Sequence, residues 1–303
     1  MTKFIERRNG HRLITPATKN IVVFYHANCT DGFSAAWAAW KKFGARAEYR
    51  AMFHEDRLPD GLNDKEIYML DLTFPEPFTR MLIRNNKRVT AIDHHISSKA
   101  TTTLTYKYSY ALHHSGAVLA WKYFHPNTKV PKFLLCVEDM DIWKLKIPGT
   151  RELYAYLDLY NFDFNLWSRF VKDFENTKKR QHIVALGRVI EQYIDKLMER
   201  QMSKSLRVVR LAGKTIYAIN ATGAFRSQLG HLLAEANPAK IGLVWWENGD
   251  GLIICSLRSI GGADVSKLAG KFGGGGHKHS ASFRLKSIKD IPWKAVRNSV
   301  QRP

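Results

Sequence analysis

Residues 21–32 read IVVFYHANCTDG, an apolar run of five residues that ends in a polar stretch. A short continuous apolar run is typical of a strand buried on both faces of a parallel sheet. The same order of apolar run and polar end recurs at residues 67–71 and 89–95, and helical patterns occupy residues 34–43 and 76–85. This alternation predicts an α/β fold with a doubly wound parallel sheet in the N-terminal part of the chain.

The rest of the chain reads as helices followed by a second α/β region. Helices are predicted at residues 116–124 and 132–137, and residues 165–206 suit one long connecting helix or an ordinary amphipathic packing helix. The second region is expected to contain five strands and two helices, at residues 208–211, 215–220, 227–236, 241–246, 252–257, 263–272 and 280–285. Residues 248–251 (NGDG) suit a hairpin turn between two of those strands.

These patterns predict four segments along the chain. They are a basic N-terminal arm (1–19), a parallel-sheet domain (20–162), a helical connector (163–206) and a smaller α/β domain with a mixed sheet (207–303).

Composition narrows the classes of partner and compartment. Lys and Arg number 47 against 27 Asp and Glu, a formal net charge of +20 that attracts polyanions such as nucleic acid or polyphosphate. The three cysteines are far apart and form no CxxC pair, which fits a reducing, cytoplasmic setting and excludes Cys-pair zinc fingers. The basic start lacks a secretory signal, and no apolar window is long enough for a membrane span, so no membrane partner is expected.

Acidic and imidazole side chains stand at three predicted strand ends. They are His26 with Asp31, then Asp71, then the run at residues 93–95. The carboxyl ends of parallel strands converge on one crevice, so these groups are expected to meet there. Each alone has a plainer explanation, a helix cap for an aspartate or a core group for a histidine. Together with Asp139 or Asp141 they predict a divalent-metal site, with manganese favoured and zinc or iron less specific alternatives.

The ordered motifs resemble the DHH phosphoesterase superfamily, and the C-terminal part resembles its DHH-associated domain. The motifs are His26 with Asp31-Gly32, then Asp71, then Asp93-His94-His95, then Asp139, and finally the glycine run Gly273–His277. The resemblance covers about residues 20–287 and implies the α/β fold described above, with residues 20–162 as the catalytic DHH domain.

The resemblance implies two Mn²⁺ ions bridged by Asp71. His26 with Asp71 would hold one ion, and four residues the other: Asp31, Asp71, His94 and Asp139, with Asp141 as the alternative to Asp139. Two further residues would be catalytic: Asp93 would orient a histidine, and His95 would face the phosphate.

The first motif departs from the common pattern His-x-x-x-Asp-x-Asp, because it contains one carboxylate only. Asn28 would then supply an amide oxygen, or Cys29 a softer sulfur ligand, to the first ion. A bound Cys29 would shift the preferred metal toward zinc or iron.

The second domain is expected to bind the anionic substrate. Backbone amides of Gly274, Gly275 and Gly276 can approach an anion, although a glycine run is equally typical of a hinge. The other residues assigned to substrate binding, on resemblance or charge, are His277, Arg258, Asn220 and Ser227.

The expected function is a metal-dependent phosphodiesterase that hydrolyses short oligonucleotides or linear or cyclic dinucleotides to mononucleotides. Its partner would be short single-stranded nucleic acid or a nucleotide, and the oligomeric state is open, a homodimer being one option. Alternatives are an adenosine 3',5'-bisphosphate phosphatase or polyphosphatase, or a nucleic-acid-binding protein with a decayed metal site.

Overall fold

A computed structural model describes residues 15–54 and 56–296, which fall into two compact units divided between Glu191 and Gln192. Most of the predicted basic arm, residues 1–14, lies outside the described residues. The four predicted segment boundaries stay predictions.

Five parallel strands form the sheet of the first unit. They are β1 (Ile21–His26), β2 (Ala47–Met52), β3 (Glu66–Leu70), β4 (Arg88–Asp93) and β5 (Lys107–Tyr110). Their order across the sheet is β2-β1-β3-β4-β5, and every pairing is parallel. The predicted doubly wound α/β fold is confirmed. The edge strands β2 and β5 were not predicted, because their sequences AEYRAM and KYSY are too polar to stand out as buried runs.

Eight helices lie between β1 and the second sheet in the described part of the chain, and the last of them continues past Glu191 into the second unit. They are α1 (Thr30–Phe43), α2 (Glu76–Asn85), α3 (Lys99–Thr102), α4 (Gly116–Phe124), α5 (Lys132–Asp141), α6 (Thr150–Leu157), α7 (Phe164–Glu175) and α8 (Thr177–Ser205). Alternate residues of β1 face opposite sides of the sheet, as a strand requires. Val23 packs into a core with Trp37 of α1 and Trp121 of α4, whereas Val22 packs into a second core with Leu82 of α2.

Two helix predictions need correction. Residues 165–206 form two helices rather than one, because Asn176 adopts an extended backbone (ψ 123°) between α7 and α8. The first of them, α7, buries Trp167 and Phe170 in the core of the first unit. Helix α5 also runs four residues beyond its predicted end at residue 137, so Asp139 and Asp141 are helical.

The second unit is built on a seven-stranded mixed sheet. Its strands are β6 (Arg207–Leu211), β7 (Lys214–Asn220), β8 (Ile241–Glu247), β9 (Ile253–Ser259), β10 (Gly275–His277), β11 (Ser280–Leu285) and β12 (Lys294–Ala295). Their order is β10-β11-β9-β8-β7-β6-β12, with β7 and β8 parallel and the other pairs antiparallel. Helix α9 (Arg226–Ala236) packs on one face and α10 (Val265–Gly270) on the other. The predicted mixed sheet is confirmed.

In the described part of the chain, every helix is too short or too polar to cross a lipid bilayer.

Candidate metal centre

Three neighbouring strands bring polar side chains to one edge of the parallel sheet. His26 ends β1, Asp71 directly follows β3, and Asp93 ends β4. In the register of the sheet, Leu70 lies opposite both Tyr25 and Ile92, so the three strand ends are level. The structure therefore places the polar strand ends side by side, as the sequence predicted.

His94 lies at the centre of the resulting cluster. Its Nε2 is 3.2 Å from Oδ1 of Asp71, 3.4 Å from Oδ2 of Asp141 and 3.9 Å from Oδ2 of Asp31. Nδ1 of His26 lies 3.5 Å from Oδ2 of Asp71, on the other oxygen of the same carboxylate. Asp71 thus has one oxygen toward each of two histidines, the geometry that a carboxylate shared by two cations needs.

Cys29 joins the cluster at its His26 side. Its Sγ lies 3.7 Å from Oδ2 of Asp71, and the thiol, His26 and Asp71 form a group whose ligand atoms could hold one cation. Asn28 is exposed and has a left-handed backbone (φ 52°). Of the two residues considered for the missing carboxylate, Cys29 is the one that lies against Asp71.

Asp141, not Asp139, completes the group around His94. Asp31, His94 and Asp141 form a second set with cation-binding geometry. The carboxylate of Asp139 is buried and accepts hydrogen bonds from the amides of Lys146 and Ile147 (both 2.9 Å). It also accepts one from Oγ1 of Thr150 (2.8 Å). The structure therefore brings Asp141, the alternative, to the group around His94, whereas the Asp139 carboxylate holds the following loop in place. Metal binding by either aspartate stays a prediction.

The N-terminus of α4 fixes Asp31. The amides of Gly116 and Ala117 donate to its two carboxylate oxygens at 2.7 and 3.0 Å. A side chain at Gly116 would not fit, because its Cβ would lie 2.6 Å from Cβ of Asp71 and 2.9 Å from Oδ2 of Asp31. Sequence analysis missed this glycine, although its place directly after the helix-capping Ser115 is a visible signal.

Four buried polar atoms of the cluster make no well-aligned hydrogen bond to the described residues, although two of them, on His94 and Asp71, lie 3.2 Å apart. They are Nδ1 of His26, Oδ1 of Asp71, Nε2 of His94 and Oδ2 of Asp141. Buried polar atoms are almost always satisfied, so four orphans at one place call for a ligand. Imidazole nitrogens and carboxylate oxygens are donors that Mn²⁺, Zn²⁺ and Fe²⁺ accept. The residues present fit a divalent-metal centre.

The pKa values of the cluster reflect its crowding. Burial alone would lower the pKa of His94, but Asp71, Asp141 and Asp31 outweigh it and raise this pKa to about 10. Burial raises the pKa of Asp141 to about 6, and burial with neighbouring carboxylates raises those of Asp31 and Cys29 well above their usual range. Burial opposes ionisation of Asp71 as well, yet its histidine neighbours lower its pKa. Protons and a cation would therefore compete for the same ligand atoms.

Asp93 lies behind the cluster and holds His95. Its carboxylate accepts the Nδ1–H of His95 at 2.8 Å and the amides of His94 and His95 at 2.7 and 3.0 Å. Hydroxyls of Thr73 and Ser98 each donate to it at 2.7 Å. Burial disfavours the charged form of both side chains, but the hydrogen bond and the charge attraction between Asp93 and His95 outweigh it. The pKa of Asp93 is therefore lowered and that of His95 is raised. This geometry fits the orienting role that the resemblance assigned to Asp93.

Comparisons with known proteins bear on the fold. No protein-family model matches the sequence. An uncharacterised protein of Acanthamoeba polyphaga mimivirus is 28% identical over 311 residues, which cover 91% of this chain and 70% of that protein. A pGpG-specific phosphodiesterase from Vibrio cholerae, a member of the DHH superfamily, superposes with a TM-score of 0.53 at 14% identity, covering 90% of this chain and 95% of that one. The chain has the DHH phosphoesterase fold.

Two further solved structures match less well. RecJ from Thermus thermophilus, solved with Mn²⁺, gives a TM-score of 0.48 at 12% identity over 88% of this chain and 49% of its own. An exopolyphosphatase-related protein from Bacteroides fragilis gives 0.49 at 12% identity, over 95% of this chain and 90% of its own. The DHH assignment of the fold rests on the Vibrio protein.

His54 lies beside the metal cluster, and sequence analysis missed it. Its ring lies 5.8 Å from that of His26 and 6.4 Å from that of His95, and its Nδ1 lies 3.3 Å from the carbonyl oxygen of Thr73. Burial, together with these two histidines, lowers the pKa of His54. It follows β2, the edge strand that was itself not predicted, so no strand-end signal pointed to it.

In the second unit, Arg258 and Ser227 come together. Nη2 of Arg258 donates to Oγ of Ser227 at 2.9 Å, and burial lowers the pKa of the guanidinium to about 10. Ser280 lies opposite both Arg258 and His277 in the sheet, and opposite residues of antiparallel strands project from the same face. Asn220 lies at the end of β7, two strands from β9, and donates to the carbonyl oxygen of Trp245 at 3.0 Å.

The second half of the glycine run forms the start of the edge strand β10 (Gly275–His277). A Cβ at Gly274 would lie 2.1 Å from the carbonyl oxygen of Ser282, and one at Gly276 would lie 2.6 Å from Cα of Ala281. Gly276 also has φ 137°, whereas a Cβ at Gly275 would meet nothing within 4 Å. Close packing on β11 therefore accounts for two of these glycines, and anion binding by the run stays a prediction.

Proposed function

We propose that this chain is a metal-dependent phosphodiesterase that hydrolyses short oligonucleotides, or linear or cyclic dinucleotides, to mononucleotides. The observation that carries the proposal is the convergence of four buried, unsatisfied ligand atoms at one end of a DHH-fold sheet. The pGpG specificity of the Vibrio protein supports a dinucleotide-sized substrate. A net charge of +20 favours polyanionic substrates of this kind.

Two groups of residues would hold one cation each, and Asp71 belongs to both groups. His26, Cys29 and Asp71 would hold one, and Asp31, Asp71, His94 and Asp141 the other. Bound divalent cations supply Lewis-acid activation of water and neutralise the charge of the phosphodiester. We propose manganese for this role, with zinc or iron as alternatives because of the Cys29 sulfur.

The protein's own side chains would hold the reacting groups in position and supply a proton to the leaving group. Water attacks phosphorus, the bond to the nucleoside oxygen breaks, and that oxygen must gain a proton. His95 is the proton donor in this proposal, because Asp93 holds its Nδ1–H and orients the ring so that Nε2 points away from that carboxylate. His54, adjacent to His26 and His95, is placed to contact the phosphate as well.

Substrate binding by the second unit is part of the same proposal. Arg258, held by Ser227, and His277 project from one face of the sheet. We propose that they bind a phosphate group, assisted by backbone amides near Gly275.

The test is a hydrolysis assay with Mn²⁺ on a panel of substrates. The panel contains a dinucleotide, a five-nucleotide strand, a cyclic dinucleotide, adenosine 3',5'-bisphosphate and polyphosphate. We expect turnover of the nucleotides, its loss on chelation, and a decrease in kcat of at least about 10²-fold in Asp71→Asn. Asp60→Asn, at an exposed carboxylate, is the matched control and should leave kcat unchanged.

The outcomes separate the proposal from its alternatives. Turnover restricted to the bisphosphate or to polyphosphate would identify a phosphatase instead. Binding of nucleic acid without turnover under Mn²⁺, Zn²⁺ or Fe²⁺ would identify a binding protein with a decayed centre.

A further inference from the structure

A segment of alternating apolar and basic residues directly follows the metal cluster. Residues 143–147 read WKLKI, and Trp143 lies two residues after Asp141. All five side chains are exposed, the three apolar ones to 36–38%. Isolated exposed apolar residues are ordinary, but three within five residues beside a polar cluster are not. We call this stretch the 143–147 segment.

Asp139 fixes the backbone of this segment. The amides of Lys144 and Leu145 donate to its carbonyl oxygen at 2.9 and 3.2 Å, and those of Lys146 and Ile147 donate to its carboxylate at 2.9 Å. Four consecutive amides therefore bond to one buried residue, and the side chains of the segment are left on the surface. A buried carboxylate with this many donors is a rigid anchor.

The segment is held in a conformation that its residues do not favour. Trp143 has φ 55° and Leu145 has φ 51°, in the left-handed region where bulky side chains are rare. Glycine or asparagine would adopt this backbone more readily. Strained residues cluster at ligand-binding sites, where the surrounding structure over-determines them. The anchoring by Asp139 is such an over-determination, and it holds the backbone that carries Trp143, which is 38% exposed and follows Asp141 by two residues in the sequence.

The residue types match one class of ligand. An indole ring stacks on a nucleobase, and lysine ammonium groups pair with phosphates. Resting on the phosphodiesterase function proposed above, we propose that the 143–147 segment binds the nucleotide adjacent to the scissile phosphate. Trp143 stacks on its base, and Lys144 and Lys146 contact the phosphates on either side. A polyphosphate would use the two lysines but have no base for the indole, so the segment favours nucleotide substrates.

The test measures binding of an unlabelled five-nucleotide single strand by calorimetry, with Ca²⁺ present and no transition metal. We expect Trp143→Ala to weaken binding roughly tenfold, the scale of one base stack, and Trp143→Phe to restore most of it. Lys144→Ala with Lys146→Ala should lower the slope of log affinity against log salt by about 1.4, or about 0.7 for each phosphate that is no longer neutralised.

Matched controls separate a local role from a general one. Tyr106→Ala removes a 76% exposed aromatic, and Lys87→Ala removes an exposed lysine; neither should alter the affinity. Steady-state kinetics with Mn²⁺ supply the second readout. Trp143→Ala should raise KM for the five-nucleotide strand about tenfold and leave the affinity for polyphosphate, measured by calorimetry, unchanged.

Failure of this inference differs from failure of the proposed function. If the wild-type chain hydrolyses the strand and Trp143→Ala matches it in affinity and KM, the inference is overturned and the phosphodiesterase stands. A variant with unchanged nucleotide affinity but altered oligomeric state in sedimentation would assign the segment to self-association instead. If the wild type neither binds nor hydrolyses any nucleotide, both proposals fall.

Discussion

Asp71 holds a strained backbone conformation at the centre of the cluster. Its φ of 54° costs a non-glycine residue on the order of 1–3 kcal/mol, and its side chain is 1% exposed. The amide of Asp71 donates to the carbonyl oxygen of Ile92 at 2.8 Å, which ties it to β4. Sheet pairing therefore maintains the strain, and the carboxylate is in place between His26 and His94 before any cation binds.

Cys29 is the residue that sets the preferred metal in this account. Cys29→Asp replaces the sulfur with a carboxylate at the His26 side of the cluster. After incubation with an equimolar mixture of Mn²⁺ and Zn²⁺, we expect the ratio of bound Mn²⁺ to bound Zn²⁺ to be higher in the variant than in the wild type. The measurement is metal content after desalting, with about a tenfold change in the Mn/Zn ratio expected. Cys255→Ser, at a buried cysteine of the second unit, is the control, and an equal ratio in both chains would exclude Cys29 as a ligand.

At the scale of elements, helix rotation explains why spacing alone favoured Asp139, whereas Asp141 is the aspartate that lies beside His94. Residues two apart on a helix point about 200° apart, so only one of Asp139 and Asp141 can face the cluster. Which of the two faces the cluster depends on how α5 is rotated about its axis when it packs against α4, α6 and α7. Residue spacing in the sequence does not determine that rotation. The strand ends were predictable because parallel strands with level registers must bring their ends together. The polar edge strands β2 and β5 were not predictable in this way, and His54 was missed because it follows β2.

The N-terminus of α4 provides the prediction at this scale. Gly116→Ala places a methyl group 2.6 Å from Cβ of Asp71, so either the helix or Asp71 must move. We expect at least a tenfold weaker affinity for Mn²⁺ in calorimetry, with a loss of stability of about 1–3 kcal/mol. Gly262→Ala is the control, because its Cβ would meet nothing within 4 Å. Wild-type affinity in Gly116→Ala would show that α4 does not position the metal ligands.

At the scale of the whole molecule, a cluster of carboxylates lies within a chain of net charge +20. We expect the positive surplus to attract a polyanion and the local negative cluster to hold the proposed cations. Composition alone predicts that the chain attracts polyanions, but it does not predict where the carboxylates gather. That place follows from topology, since Asp31, Asp71 and Asp141 come from distant parts of the sequence.

Cation binding should release protons from the molecule. The pKa of His94 is raised to about 10 and that of Asp141 to about 6, so His94 carries a proton at pH 7.5 and both carry one at pH 5.5. A cation must displace these protons, and its affinity therefore falls as the pH is lowered. We expect at least one proton released per chain at pH 7.5, measured by calorimetry in buffers of different ionisation enthalpy. Binding with no proton release, and equal affinity at pH 5.5, would contradict this assignment.

The central claim is that Asp71 is shared by two cations at the end of the parallel sheet. Anomalous diffraction at the manganese absorption edge, from crystals grown with Mn²⁺, tests it most directly. We predict two peaks about 3.5–4 Å apart, on either side of the Asp71 carboxylate, with His26 beside one and His94 and Asp141 beside the other. Crystals that show no peak at this cluster, or peaks only at surface carboxylates, would contradict the claim.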